Sequence, residues 1–172
     1  GIAVLLSFLV GSAMGIWAAH NETVSRILRP INDTLQTMPL FVLLIPILMI
    51  FKVGEFTALL AICLYAGVPA QRYAESALRG LPQGVIEAAT AMGMTDGQVL
   101  RMVELPLAAP VILTGIRVAV VICVGVATVA AAVGAGGLGT YIFRGLRQND
   151  NNLLLAGAIA SALLALLCDF AL

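Results

Sequence analysis

The chain has 172 residues, 61% of them hydrophobic and only 10% charged, with nine basic and nine acidic side chains and no net charge. Soluble domains average roughly 25% charged residues, so this composition excludes one and describes an integral membrane protein. Zero net charge without a basic cluster excludes a nucleic-acid partner as well.

Five runs contain no Asp, Glu, Lys or Arg: residues 1–21, 34–51, 56–71, 118–143 and 151–168. A helix needs about 20 mainly apolar residues to cross the hydrocarbon, and the alternation of a barrel strand is missing. The prediction is an all-α polytopic protein with spans at roughly 1–19, 34–51, 55–74, 107–133 and 151–172. The first run opens at Gly1 without a methionine and the last stops at Leu172 inside an apolar stretch. That leads us to expect one transmembrane domain over 1–172, trimmed at both ends.

Between the first two spans lies H-N-E-T-V-S-R-I-L-R-P-I-N-D (His20 to Asp33), polar and amphipathic. The second span opens with Gln36, Thr37 and Pro39 and contains Pro46. Each proline removes a backbone hydrogen bond and invites a kink; bent helices border the pathway in many transporters. These four residues are therefore pathway candidates. The competing reading is compositional, since proline is commoner in membrane helices than in soluble ones. K-V-G-E (Lys52 to Glu55) then makes a tight hairpin.

The third connection, Gln71 to about Pro106, is the longest polar stretch. Pro82 suits the first turn of a helix on which Val85, Ile86, Ala89 and Met92 share a face away from Glu87 and Thr90, and Gly93 ends it as a left-handed cap. T-D-G-Q, Thr95 to Gln98, has the form of a capping box. A second short helix should run from there to about Val103 and stop at Leu105-Pro106, because the residue before proline is pushed out of the helical region. Orientation follows from Lys and Arg. Arg26, Arg29, Arg72, Arg79 and Arg101 lie on the first and third connections, against Lys52, Arg144 and Arg147 on the others, which puts the third connection in the cytoplasm.

The fourth span holds one charge, Arg117, roughly 16 Å beyond Pro106 at 1.5 Å per residue. An intramembrane charge is a pathway candidate; a structural salt bridge or a snorkelling side chain is the equal alternative. Gly115 with Ala119, and Ala127 with Ala131, are small-xxx-small pairs that let helices approach. The fourth connection, Gly134 to Asp150, holds Gly134, Gly136, Gly137 and Gly139. Following a long apolar helix on the non-cytoplasmic side, it reads as a re-entrant turn or outer gate, where a binding protein would dock, rather than a phosphate loop. Cys63, Cys123, Cys168 and the lone His20 show no metal-ligand spacing, so no metal site is expected. Trp17, Tyr65, Tyr73 and Tyr141 read as interface anchors rather than an aromatic cage.

The sequence holds no G-x-x-x-x-G-K-[ST], no acidic metal cluster and no nucleophile beside a base, so the chain is expected to be non-catalytic and to bind no cofactor of its own. Glu87-Ala88-Ala89, three residues, Gly93, nine residues, then Val103-x-Leu105-Pro106 resembles the EAA signature of permease subunits of bacterial type I ABC importers. That signature is written E-A-A-x3-G-x9-I-x-L-P, and here Val103 replaces Ile. Q-T-M-P (Gln36 to Pro39) leading into F-V-L-L-I-P-I-L (Phe41 to Leu48) is similar to the second span of permeases for glycine betaine, proline betaine, choline and carnitine. V-G-A-G-G-L-G (Val133 to Gly139) is shared more widely, including with methionine importers.

The resemblance implies a MetI-like permease fold in the bacterial cytoplasmic (inner) membrane. Its cytoplasmic coupling loop, at about 75–106, would dock through Glu87, Ala88, Ala89, Gly93, Val103, Leu105 and Pro106 into separate ATP-binding subunits. Two such subunits are implied, with ATP and Mg bound there, together with a second permease copy or homologue and an outer substrate-binding protein or fused domain. For Glu87 the alternative is an ordinary solvated glutamate near a helix start. Ala88 and Ala89 are expected to be small so that the loop sits close to its partner. Rival readings are an importer of methionine or another small solute and, outside the class, a channel or secondary transporter. The latter calls for internal repeats or several intramembrane carboxylates, whereas Glu55 and Asp169 lie at span ends. A purely structural scaffold leaves the EAA pattern unexplained.

Overall fold

The computed structural model describes residues 2–52, 54–134 and 136–171, with side chains except at 2–4, 55 and 133. Val53 in the second connection, Ala135 in the fourth and the side chain of Glu55 thus lie outside the described residues. The first corner is set by Asn21. Its backbone is extended, and its Oδ1 accepts from the N–H groups of Thr23 at 3.1 Å and Val24 at 3.3 Å, ending α1 (Ile2–His20) and capping α2 (Glu22–Thr37). The polar connection is therefore helical and runs four residues past Asp33. Pro39 ends it by forcing Met38 into extended geometry, φ −74° and ψ 131°. The next helix, α3 (Leu40–Phe51), leaves at 101° to α2. Pro39 consequently precedes α3, where no donor is needed, instead of kinking a continuous span; only Pro46 lies inside a helix there.

The remaining elements are α4 (Glu55–Arg79), α5 (Gln83–Ala91), α6 (Asp96–Val99), a π-helical turn at Leu100–Glu104, α7 (Leu105–Ala130), a 3-10 turn at Ala131–Val133, α8 (Gly139–Gln148) and α9 (Asn151–Ala171). Among the described residues, Asp96–Ala130 and Asn151–Ala171 are long and apolar enough to cross a membrane alone. The bent pair α2–α3 would make a third, and Leu5–His20 is a shorter apolar helix. The five predicted spans fall on α1, α2–α3, α4, α7 and α9. On α9, Leu155, Ile159, Leu163, Leu167 and Phe170 are exposed, as a lipid-facing helix requires. The glycine-rich fourth connection, expected as a re-entrant turn or outer gate, ends in a helix, α8. Asn149, at φ 53°, stops α8, and Asp150 Oδ1 caps α9 through the N–H groups of Asn152 and Leu153.

The long helix α4 is the centre of the bundle. In lipid, helices gain little from the hydrophobic effect and associate by close van der Waals contact through small residues. α1 presents Gly11 and Gly15 to α4: a Cβ at Gly11 would fall 2.6 Å from the Gly67 carbonyl oxygen, and one at Gly15 2.4 Å from that of Gln71. On the other side Gly115 of α7 lies under Tyr73, whose Cβ would be 2.4 Å from a Cβ at 115. The buried set is accordingly alanine-rich, with Ala18, Ala61, Ala66, Ala74, Ala108 and Ala130 nearly inaccessible. Larger groups pack in two places, around Ile62, Ala66, Cys123 and Val126, and around Ala77, Leu78 and Ala108.

A polar seam fastens α2 to α4. Glu75, buried, accepts from Ser25 Oγ at 2.6 Å, Gln71 Nε2 at 2.9 Å and Arg29 Nη2 at 3.4 Å, and forms an ion pair with Arg79, whose Nε lies 3.2 Å away. Asn32 donates to Gln71, and Arg72 pairs with Asp33. Arg79 also reaches Glu22 at 3.2 Å and the Ala18 carbonyl at 3.0 Å. That guanidinium, by hydrogen bond and then by charge, holds the exposed Glu22 carboxyl below its ordinary value.

Two predictions follow from this packing. Gly15→Leu should cost at least about 1–3 kcal/mol by overpacking and lower the melting temperature of the detergent-solubilised protein. Gly125→Ala, whose Cβ would meet nothing within 4 Å, should leave it unchanged or raised; equal effects at both sites would refute the close-packed α1–α4 contact. Glu75→Ala, which strips a buried carboxylate from its partners, should cost about 3 kcal/mol or more, against less than about 1 kcal/mol for Arg72→Ala at an exposed pair, both read by thermal unfolding.

Candidate functional site

The segment between α4 and α7 is ordered throughout by local chemistry. After Arg79, Gly80 closes α4 by donating to the Ser76 carbonyl at 2.9 Å, and Pro82 stands extended just before the first residue of α5. Gly93, at φ +85°, ends α5 in a full Schellman arrangement: its N–H donates to Thr90 O at 2.9 Å, and Met94 N–H to Ala89 O at 3.3 Å. A Cβ at 93 would meet nothing within 4 Å, so glycine is required by backbone conformation, not by crowding. Gln98 Oε1 then accepts from the Thr95 N–H at 2.9 Å, the return half of the predicted capping box.

The second helix does not stop at Leu105-Pro106. The helical path runs unbroken for 35 residues from Asp96 to Ala130, with Leu105 itself helical at φ −61° and ψ −45°. The reason is the π turn. Leu105 N–H bonds back five residues to Leu100 O, and the widened turn absorbs the proline that follows. The candidate coupling residues Val103, Leu105 and Pro106 therefore sit in and just after a π turn at the root of α7, rigidly continuous with it.

Within E-A-A, Glu87 and Ala88 face solvent, whereas Ala89 is only 2% exposed where α5 rests on α6 and the π turn. The smallness of Ala89 thus serves packing inside the chain, and that of Ala88 alone faces outward. Around them Val85, Met92 and Met102 are exposed, so the outer surface combines one carboxylate with flexible apolar side chains.

Glu104 is the residue that sequence reasoning missed. It is buried, and its Oε2 lies 3.0 Å from His20 Nε2 at the end of α1. His20 Nδ1 lies 3.0 Å from the Ile16 carbonyl. Both ring nitrogens thus face oxygen atoms, one on each side of the ring.

Of the pathway candidates, Gln36 donates from Nε2 to the Tyr65 carbonyl at 3.2 Å. Pro69, four residues on in α4, has no N–H for that carbonyl, so Gln36 supplies the missing donor. Thr37 bonds back to Asp33 O at 2.9 Å. Arg117 donates from Nε to the Asp169 carbonyl at 2.8 Å and lies 3.2 Å from its carboxylate. The gate candidates Gly134, Gly136 and Gly137 have φ of 85°, 73° and 83°. Gly139 is needed for space, since a Cβ there would lie 2.0 Å from Thr128 O. The seven coupling candidates lie on the contiguous run α5, corner, α6, π turn and start of α7, with α5 resting on α6 and the π turn, and the pathway and gate candidates lie on other elements or farther along α7.

Residues 11–172 match the family described as binding-protein-dependent transport system inner membrane component. The glycine betaine/carnitine/choline transport system permease protein OpuCD of Bacillus subtilis (strain 168) is 38% identical over 167 residues, covering 96% of this chain and 73% of OpuCD. The glycine betaine transport system permease protein OpuAB of the same organism is 36% identical, covering 97% of this chain and 59% of its own length. Among solved structures, a chain of the MetNI methionine ABC transporter in inward-facing conformations aligns with TM-score 0.88 at 26% identity, over 99% of this chain and 86% of that one. The chain belongs to the family of inner membrane components of binding-protein-dependent transport systems.

Proposed function

We propose that this chain is the transmembrane subunit of an ATP-driven importer of compatible solutes of the glycine betaine, choline and carnitine class. One observation supports this above others: the E-A-A-x3-G-x9-V-x-L-P pattern folds as a short helix, α5, and a glycine corner, followed by the helical path that runs unbroken from Asp96 through α7. In this reading the α5–α6 segment lies in the cytoplasm and rests on an ATP-binding subunit, where ATP and Mg are held. Two such subunits pair with two permease copies, or with this chain and a homologue. When they close on ATP they draw the two segments together; the continuous helix Asp96–Ala130 converts that displacement into tilt of the pathway wall. The turn at Gly134–Gly139 is the outer gate, at which a binding protein, separate or fused, delivers solute. Pro46 and the α2–α3 corner border the route.

The solute class rests on the relatives, because the fold is shared with the permease of a methionine transporter and does not by itself select cargo. The test is reconstitution of the complex with its ATPase and binding protein, asking which solute stimulates ATP hydrolysis. Stimulation by methionine and not by quaternary amines would replace the cargo assignment. Gly93→Val forces a β-branched residue into left-handed geometry at a cost of roughly 1–2 kcal/mol. It should insert normally and still hydrolyse ATP while losing most of its uptake; normal uptake would refute the coupling role of this segment.

A further inference from the structure

The EAA pattern leaves position 104 unspecified, yet the residue there is the most conspicuous in the segment. Glu104 is a carboxylate held 7% exposed at the root of an apolar helix. An apolar side chain would fill that place without the desolvation cost of a buried ion, so its value lies in what it touches, His20.

The geometry that delivers it there is specific. Along the first part of the continuous helix the buried positions are Val99, Glu104 and Ala108, then Gly115 and Ala119. In an α-helix of 3.6 residues per turn, positions five apart lie about 140° from each other. The π turn at Leu100–Glu104, with its five-residue hydrogen bond, is what puts Val99 and Glu104 on one face and turns the carboxylate toward α1.

The consequence is a junction. α5 rests on α6 and the π turn, so a load on α5 arrives first at that turn. From there one route continues along α7. The other leaves sideways through Glu104 to His20, at the end of a helix already locked to α4 by its glycine face and by Arg79 on the Ala18 carbonyl. The contact lies one turn from Ala108, which packs with Ala77 and Leu78 of α4. We propose that Glu104 is a positioning residue for transport: through His20 it makes α1 and α4 move with the root of α7 when the α5–α6 segment is displaced. This rests on the importer reading above.

The test uses the whole complex in proteoliposomes, with solute transported per ATP hydrolysed as the readout and thermal stability measured beside it. His20→Ala and Glu104→Ala should each lower that ratio roughly tenfold, within the range of coupling changes single residues give, and Glu104→Ala should cost less stability than Glu75→Ala because the one side chain it leaves unpaired, His20, is half exposed. The double variant should be no worse than either single one, since the two act as one contact. Glu104→Gln, which keeps an acceptor for Nε2–H, should recover most of the ratio. Unchanged ratios in the single variants, multiplied losses in the double variant, or a deficit confined to assembly with normal ratios in the assembled fraction would each overturn the proposal. Gly93→Val run alongside separates the two readings. If it stays coupled, the importer reading falls and this contact with it; if it uncouples while Glu104→Ala stays coupled, this contact alone falls.

Discussion

The bundle depends on α1 and α4 lying in backbone contact. Gly11 and Gly15 admit the carbonyls of Gly67 and Gln71 to distances at which any side chain would collide. In a medium that gives apolar helices no reason to prefer each other over lipid, that contact supplies the dispersion energy that holds them. It also fixes where polar groups end up. Arg79 reaches the Ala18 carbonyl and Glu22, and His20 reaches Glu104, because the end of α1 lies directly against α4 and α7. On the opposite side Gly115 does the same for Tyr73, so α4 is clasped between two glycine faces.

Prolines are the second constraint, and the fold meets three of them in different ways. Pro39 is placed before a helix, where its missing donor is irrelevant, and the chain turns through 101° there. Pro69 strips the Tyr65 carbonyl of its donor, and the Gln36 amide replaces it across the gap between α2 and α4. Pro106 is taken up by the π turn. A proline in a membrane helix leaves a polar atom that water cannot reach, so each of these answers is obligatory, and two of them pull a neighbouring element into a defined position.

Local chemistry was legible in the sequence: the Gly93 corner and the Thr95–Gln98 cap depend on neighbours within a few residues, and the all-helical class on composition along each run. What escaped depended on partners far along the chain. The stop expected at Leu105-Pro106 follows from a dipeptide preference, but the π turn overrides it with a hydrogen-bonding register invisible in composition. The seam between α2 and α4 had a readable signal, since Ser25, Arg29 and Asn32 repeat at helical spacing, as do Gln71, Glu75 and Arg79. Matching the two stripes needs the pairing of α2 with α4, which no local spacing specifies. Gly11 and Gly15 form the same kind of small pair as Gly115 and Ala119, and lay unremarked because nothing local distinguishes a packing glycine from a chance one.

Electrostatics separate the groups the fold uses from those it leaves over. Glu22, Asp33, Glu75, Glu104 and Asp169 are each paired with a cationic or histidine side chain. Glu87, Asp96 and Arg101 are exposed and form no ion pair among the described residues, and all three lie on α5, α6 and the π turn. Two acids against one arginine give that surface little net field, so long-range steering of a partner is weak there and further screened by salt. Recognition at the proposed ATPase-facing surface then has to come from shape: a corner held rigid by the Gly93 Schellman bonds, flanked by Met92 and Met102, whose unbranched thioethers mould to an apolar groove. A rigid corner with adaptable flanks suits a contact that must persist while the two sides rotate against each other, because the corner transmits the push and the methionines keep the surfaces in contact.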